Sequence, residues 1–204
     1  MEKKIIIATF FLLPMISFGQ TKMSDVLATM PDSLFPYLSK NNRLDMIDFI
    51  ASSMKAEVSN GLGGISKLLK LNSDYLKMQA SATTLVEMKL LPDSVNRNDT
   101  AGKQIVCMVT TFGESHPKES KVEFFTTQWK PLHNKWLMPA FMAGTNGRKE
   151  KSTVIASLSA TDKTLTLQQV ALNPKPKDNN NDDEDFREPK NLQNILKWDG
   201  RTFK

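Results

Sequence analysis

At 204 residues with a formal net charge of +5, the chain is long enough for one domain with a sizeable core. Its Lys and Arg are interspersed with Asp and Glu, which excludes the clustered basic footprint of a nucleic-acid binder. A single cysteine, Cys107, excludes an internal disulfide, so stability has to come from buried apolar surface.

The chain opens MEKK, runs through the apolar stretch Ile5 to Phe18, and reaches small residues at Ser17 and Gly19. This pattern predicts a signal peptide over residues 1–19, cut before Gln20. The apolar run is shorter than the roughly 20 residues a spanning helix needs, and Pro14 interrupts it. No later segment is apolar enough to span a bilayer. No cysteine stands at the cut, so the mature chain is expected to be exported, periplasmic or extracellular, and not a lipoprotein.

Residues 20–204 read as a single α+β domain, with a helical lead over about 24–71 and a β-rich part over 72–204. In the lead, Pro31 and Pro36 punctuate the chain before Asn41 or Asn42 caps a helix. Leu44, Ile47, Ile50, Ala51 and Met54 recur at three- and four-residue spacings and predict its buried stripe. Asp45 and Asp48 share the neighbouring face, where paired carboxylates read as solvated rather than as an acid/base couple. Asn60 to Gly64 (NGLGG) suggests a phosphate-cradling loop, but Ile65-Ser66 stands where Gly-Lys-Ser/Thr would have to follow. The glycines therefore read as a flexible turn.

From Asn72 the pattern becomes strand-like. Leu85, Glu87 and Lys89 alternate with Val86, Met88 and Leu90, a period of two that predicts antiparallel sheet with one wet face. Gln104 to Leu132 is the best-marked unit. Its β-branched and aromatic residues Ile105, Val106, Val109, Val122, Phe124 and Phe125 predict two strands joined by a polar turn over Gly113 to Ser120. Cys107 falls inside the first strand and reads as a small core residue. A second hairpin is expected from TVIASLS and TLTLQQVAL, joined by Ala160 to Lys163. Residues 173–191 lack aliphatic side chains and predict a mobile acidic loop. The chain closes on a turn at Asp199-Gly200.

Chemical motifs are incomplete. Asp178, Asn180 and Asp182 alternate like the start of a calcium loop, but Asp183 and Pro189 occupy the positions that need Gly and a bidentate Glu. His116 and His133 have no spacing to each other or to Cys107 that builds a zinc site, so no metal or cofactor is expected. Ser52 to Lys55 and Ser115 to Lys118 match Ser-x-x-Lys without the motifs that complete the set, and no catalytic residue is assigned. An enzymatic site would require Asp45, Asp48, Glu87 and Glu123 to converge in space. The candidate ligand-binding residues are Trp129, Trp136 and Trp198, because an exposed indole stacks on the apolar face of a sugar.

Several segments carry a family resemblance: the Phe18-Gly19-Gln20 junction, MPDSLFPYL over Met30 to Leu38, DYLKMQ over Asp74 to Gln79, MKLLPD over Met88 to Asp93, FFTTQWKPL over Phe124 to Leu132, and the closing LKWDGRTF. Across nearly the whole mature chain the sequence resembles an exported family of Bacteroidales known only as a domain of unknown function. The resemblance implies a periplasmic or surface location in a diderm bacterium. It brings no catalytic residue with it.

The expected architecture is α+β, with short N-terminal helices packed on a largely antiparallel β-sheet. The expected function is a non-enzymatic interaction or structural module of the cell envelope, acting on an envelope protein or glycan. Two alternatives remain: a glycan or small-ligand binder using the three tryptophans, and a hydrolase whose site assembles only in three dimensions.

Overall fold

The computed structural model describes residues 21–94, 104–113, 119–133, 152–171 and 193–204. The described fold is mostly antiparallel β-sheet with two helices, α1 (Met23–Ala28) and α2 (Lys40–Ala51). Six strands form a simple meander in chain order: β1 (Glu57–Ser59), β2 (Ile65–Leu71), β3 (Tyr75–Ser81), β4 (Thr84–Pro92), β5 (Gln104–Phe112) and β6 (Glu119–Thr126). A separate three-stranded sheet is built from β7 (Ser152–Leu158), β8 (Thr164–Ala171) and β9 (Gln193–Lys197). Every strand pair is antiparallel.

The N-cap of α2 is Ser39 rather than Asn41 or Asn42, since Ser39 has extended backbone and its hydroxyl accepts the Asn42 N–H at 3.3 Å. The expected stripe holds in part: Ile47 and Ile50 pack against the core, whereas Leu44 and Met54 are 37% and 59% exposed and Arg43 and Met46 are buried. Arg43 turns inward beside them, with its guanidinium on main-chain carbonyls of the lead. The helix ends in a Schellman turn, in which the N–H of Met54 reaches the Phe49 carbonyl at 2.7 Å and Ser53 takes a φ of 56°.

The expected helical lead to residue 71 is corrected by β1 and β2. Ile65, Leu68 and Leu69 have spacings that suit a helix, but Ser66 and Leu68 point to one face and Leu68 pairs with Met78 across the sheet.

The long hairpin stands as expected, with Cys107 opposite Phe124 and Val109 opposite Val122. So do the β7–β8 hairpin and the closing turn, where Trp198 bridges to Phe203. The expectation of one wet face is corrected for β4, since Glu87 and Lys89 are 4% and 1% exposed. The small sheet lies over that side of β4, β5 and β6.

Two core clusters result. One joins Met23, Val26, Leu27 and Met46 of the helices to Leu76, Met78, Val86, Met88, Val106 and Met108 on one face of the central sheet. The other joins Tyr75, Leu91, Ile105, Cys107, Val109, Val122 and Phe124 on the opposite face to Ala156, Leu158, Leu165, Leu167, Trp198 and Phe203. Among the described residues no helix is long and apolar enough to cross a membrane. The leader 1–19 and the acidic stretch 173–191 lie outside the described residues.

Candidate functional site

Among the described residues, a buried polar cluster sits between the two sheets. Register places Lys77 opposite Glu87 and Tyr75 opposite Lys89, so four polar side chains share the buried face of β3 and β4. The Tyr75 hydroxyl donates to Glu87 Oε1 at 2.8 Å, and Lys77 Nζ lies 3.2 Å from the same oxygen. Glu87 Oε2 accepts the backbone N–H of Leu158 at 3.1 Å. Lys89 Nζ pairs with Asp74 at 3.0 Å, donates to the Ala160 carbonyl at 3.4 Å, and lies 5.8 Å from the centre of the Tyr75 ring.

Each polar group of this cluster is partnered within the fold. Burial, and then the negative charge and hydrogen bond of Glu87, push the Tyr75 phenol well above the usual tyrosine range, so it stays a donor. Burial alone pushes the Cys107 thiol far up, which removes it as a nucleophile and agrees with its reading as a core residue. The outer edge of β7 is covered by the same device, with Glu87 on the Leu158 amide and Ser120 Oγ donating to the Ala156 carbonyl at 3.5 Å.

A second hub holds the helices. Buried Arg43 donates through Nε to the Leu27 carbonyl at 3.2 Å, through one terminal nitrogen to the Leu38 carbonyl at 2.7 Å and Asp32 at 2.8 Å, and through the other to the Met30 carbonyl. Leu27 belongs to the last turn of α1, where the partial negative charge of the helix end favours a cation. The glycine turn is closed in the same way by Asn60, whose Oδ1 accepts the N–H groups of Leu62 and Gly64 at 3.0 and 3.2 Å. Those amides are the ones a phosphate would need. Among the described residues no buried side-chain polar atom lacks a partner.

Among the described residues, Glu87 is the one sequence candidate that belongs to these hubs. Trp129 is buried against Phe125, with ring centroids 5.5 Å apart, and its indole donates to the Val26 carbonyl at 3.1 Å. Trp198 is buried in the other core, between Phe124 and Phe203, and donates to the Pro92 carbonyl at 2.8 Å. Neither presents the exposed indole that sugar stacking requires. Trp136 lies outside the described residues, as do His116, Ser115 and the aspartates from Asp178 to Asp185. Asp45 and Asp48 sit exposed on α2, and Glu87 and Glu123 point to opposite faces of the central sheet, so these four do not converge. Among the described residues no group of three His, Cys, Asp or Glu is placed to hold a metal.

Sequence reading missed Arg43, Lys89 and Asn60. A cation inside an apolar stripe at Arg43, and Glu and Lys inside a strand of otherwise core-forming residues, were the available signals.

Among the described residues, the small sheet contacts β4, β5 and β6 and leaves the β2 end of the central sheet exposed. On β2, Ile65 and Leu69 are 52% and 51% exposed, with Lys67, Lys70 and, on β3, Lys77 beside them.

A family model described as protein of unknown function (DUF3256) matches residues 15–203. The chain belongs to that family. Among solved structures, the DUF3256 chain is similar to a domain of an uncharacterized protein from Porphyromonas gingivalis W83. The two share 20% identity and a TM-score of 0.63, over 89% of this chain and 96% of that one, which establishes likeness of fold. No curated protein matches the chain.

Proposed function

We propose that this DUF3256 protein is an exported, non-enzymatic interaction module of the cell envelope. The leader pattern over residues 1–19 supports export to the periplasm or surface. The observation that carries the reading is the saturation of Glu87. The most buried carboxylate among the described residues accepts from Tyr75, Lys77 and Leu158, and so ties two sheets together instead of facing a substrate. With α1 and α2 packed on one side of the central sheet and the small sheet on the other, the fold is a rigid support for its outer surfaces.

The test is a quantitative pull-down from envelope extract with the mature protein as bait, run beside turnover assays on peptidoglycan and oligosaccharides. Saturable recovery of a discrete partner without turnover is the expected result. Turnover that survives purification, with no partner recovered, would contradict the reading.

A further inference from the structure

The part of the central sheet that no described element covers has a composition that its own fold does not explain. Register sets Glu57 opposite Lys67, which faces Gln79, and sets Lys70 directly opposite Lys77. Like charges facing each other across strands are destabilising. Lys77 is drawn to Glu87, which already accepts from two other donors, while among the described residues no carboxylate lies in ion-pairing range of Lys70. Glu57 is shared by Lys55 and Lys67 at 3.0 Å each, so one carboxylate there answers two ammonium groups. The face therefore carries an excess of positive charge.

It is also apolar. A bulge between Leu68 and Lys70 puts Leu69 out of the regular alternation and into solvent, next to the exposed Ile65. Lysines interleaved with two half-exposed aliphatic side chains on a pleated surface suit a partner that alternates carboxylates with apolar groups, which is the spacing of an extended chain.

We propose that this face, built from Ile65, Lys67, Leu69, Lys70 and Lys77, docks an acidic, extended peptide segment of a partner protein. The inference rests on the reading of the protein as an interaction module and names its surface.

The probe is a fluorescein-labelled peptide of about ten residues alternating Glu and Val, with its Lys-Val counterpart as control, followed by anisotropy at about 50 mM salt, where screening is weak. The mature protein should bind the acidic peptide saturably and ignore the basic one. Lys70→Glu with Leu69→Ser should weaken binding by at least about tenfold, a loss expected when attraction becomes repulsion at an interface. Lys121→Glu, the same change of charge on β6 at the far side of the sheet, should leave it within about twofold. All three proteins should melt at similar temperatures, since the replaced side chains are exposed. Equal weakening by Lys121→Glu would show binding to net charge alone and overturn the proposal. So would stronger binding to phosphatidylglycerol vesicles than to the peptide, or self-association of the protein through the same residues. Absence of peptide binding beside an intact envelope partner sinks the assignment of this face and leaves the interaction reading standing. Turnover of cell-wall substrates would sink both.

Discussion

The carboxylate of Glu87 accepts the backbone N–H of Leu158 at 3.1 Å, so one side chain of the central sheet holds the edge strand of the small sheet. Replacing Glu87 with Ala leaves that amide, the Tyr75 hydroxyl and Lys77 without their shared acceptor. The expected loss is about 2–4 kcal/mol, since each stranded buried group costs on the order of 1–3 kcal/mol and water recovers part of it. A urea unfolding midpoint measures it; a midpoint unchanged from wild type would show that the bond does not join the sheets.

The phenol of Tyr75 gives the same contact a pH signature. Its folded pKa is raised, first by burial and then by Glu87, so its contribution to stability is fully present below the unfolded tyrosine value of about 10 and is lost as pH rises further. Stability measured from neutral to alkaline pH should fall beyond that value. Glu87→Gln removes the charge while keeping an acceptor, and should bring the Tyr75 titration, followed by ultraviolet absorbance, part of the way back down.

Arg43 is the corresponding link for the helices. Arg43→Ala strands the carbonyls of Leu27, Met30 and Leu38 and should cost about 2–4 kcal/mol. Arg43→Lys should recover less than half, because an ammonium cannot reproduce the forked geometry. Hydrogen exchange should show the amides of α1 opening before those of β4 and β5 in both variants.

Two glycines with positive φ should respond differently to alanine. At Gly63, φ is 76° with open space around a new Cβ, so Gly63→Ala costs only backbone strain, about 1 kcal/mol. At Gly200, φ is 99° and a Cβ would clash with Ser94 Oγ and fall 3.0 Å from Ser94 Cβ, in the turn that seats Trp198 against Pro92. Gly200→Ala should therefore cost about 1–3 kcal/mol more than Gly63→Ala, with a shift in Trp198 emission. Equal losses at both would remove the close approach from the account.

Ser53 offers a change in the other direction. It holds φ 56° at the end of α2, a conformation that suits glycine. Ser53→Gly should raise stability by about 0.5–1 kcal/mol, read as a higher melting temperature.

Much of the sheet was legible because β-branched and aromatic residues from Ile105 to Phe125 carry strand propensity and period two at once. Periodicity states which side chains share a face and not whether that face is covered. Glu87 and Lys89 read as wet because their cover, β7 and the turn after it, comes far later in the chain. Leu68 was misread with the helical lead because its neighbours fit either period and only pairing with Met78 decides. Trp129 and Trp198 look alike as exposed stackers in sequence. Burial separates them into two cores, each with its indole donating to a distant carbonyl.

The most direct test of the interaction reading is photo-crosslinking in intact envelopes, with a photoreactive residue placed at Leu69 and, separately, at Lys121. The account predicts a discrete adduct from position 69 that free acidic peptide competes away, and none from position 121. Identical adduct patterns from both positions, together with measurable turnover of cell-wall substrates by the purified protein, would contradict it.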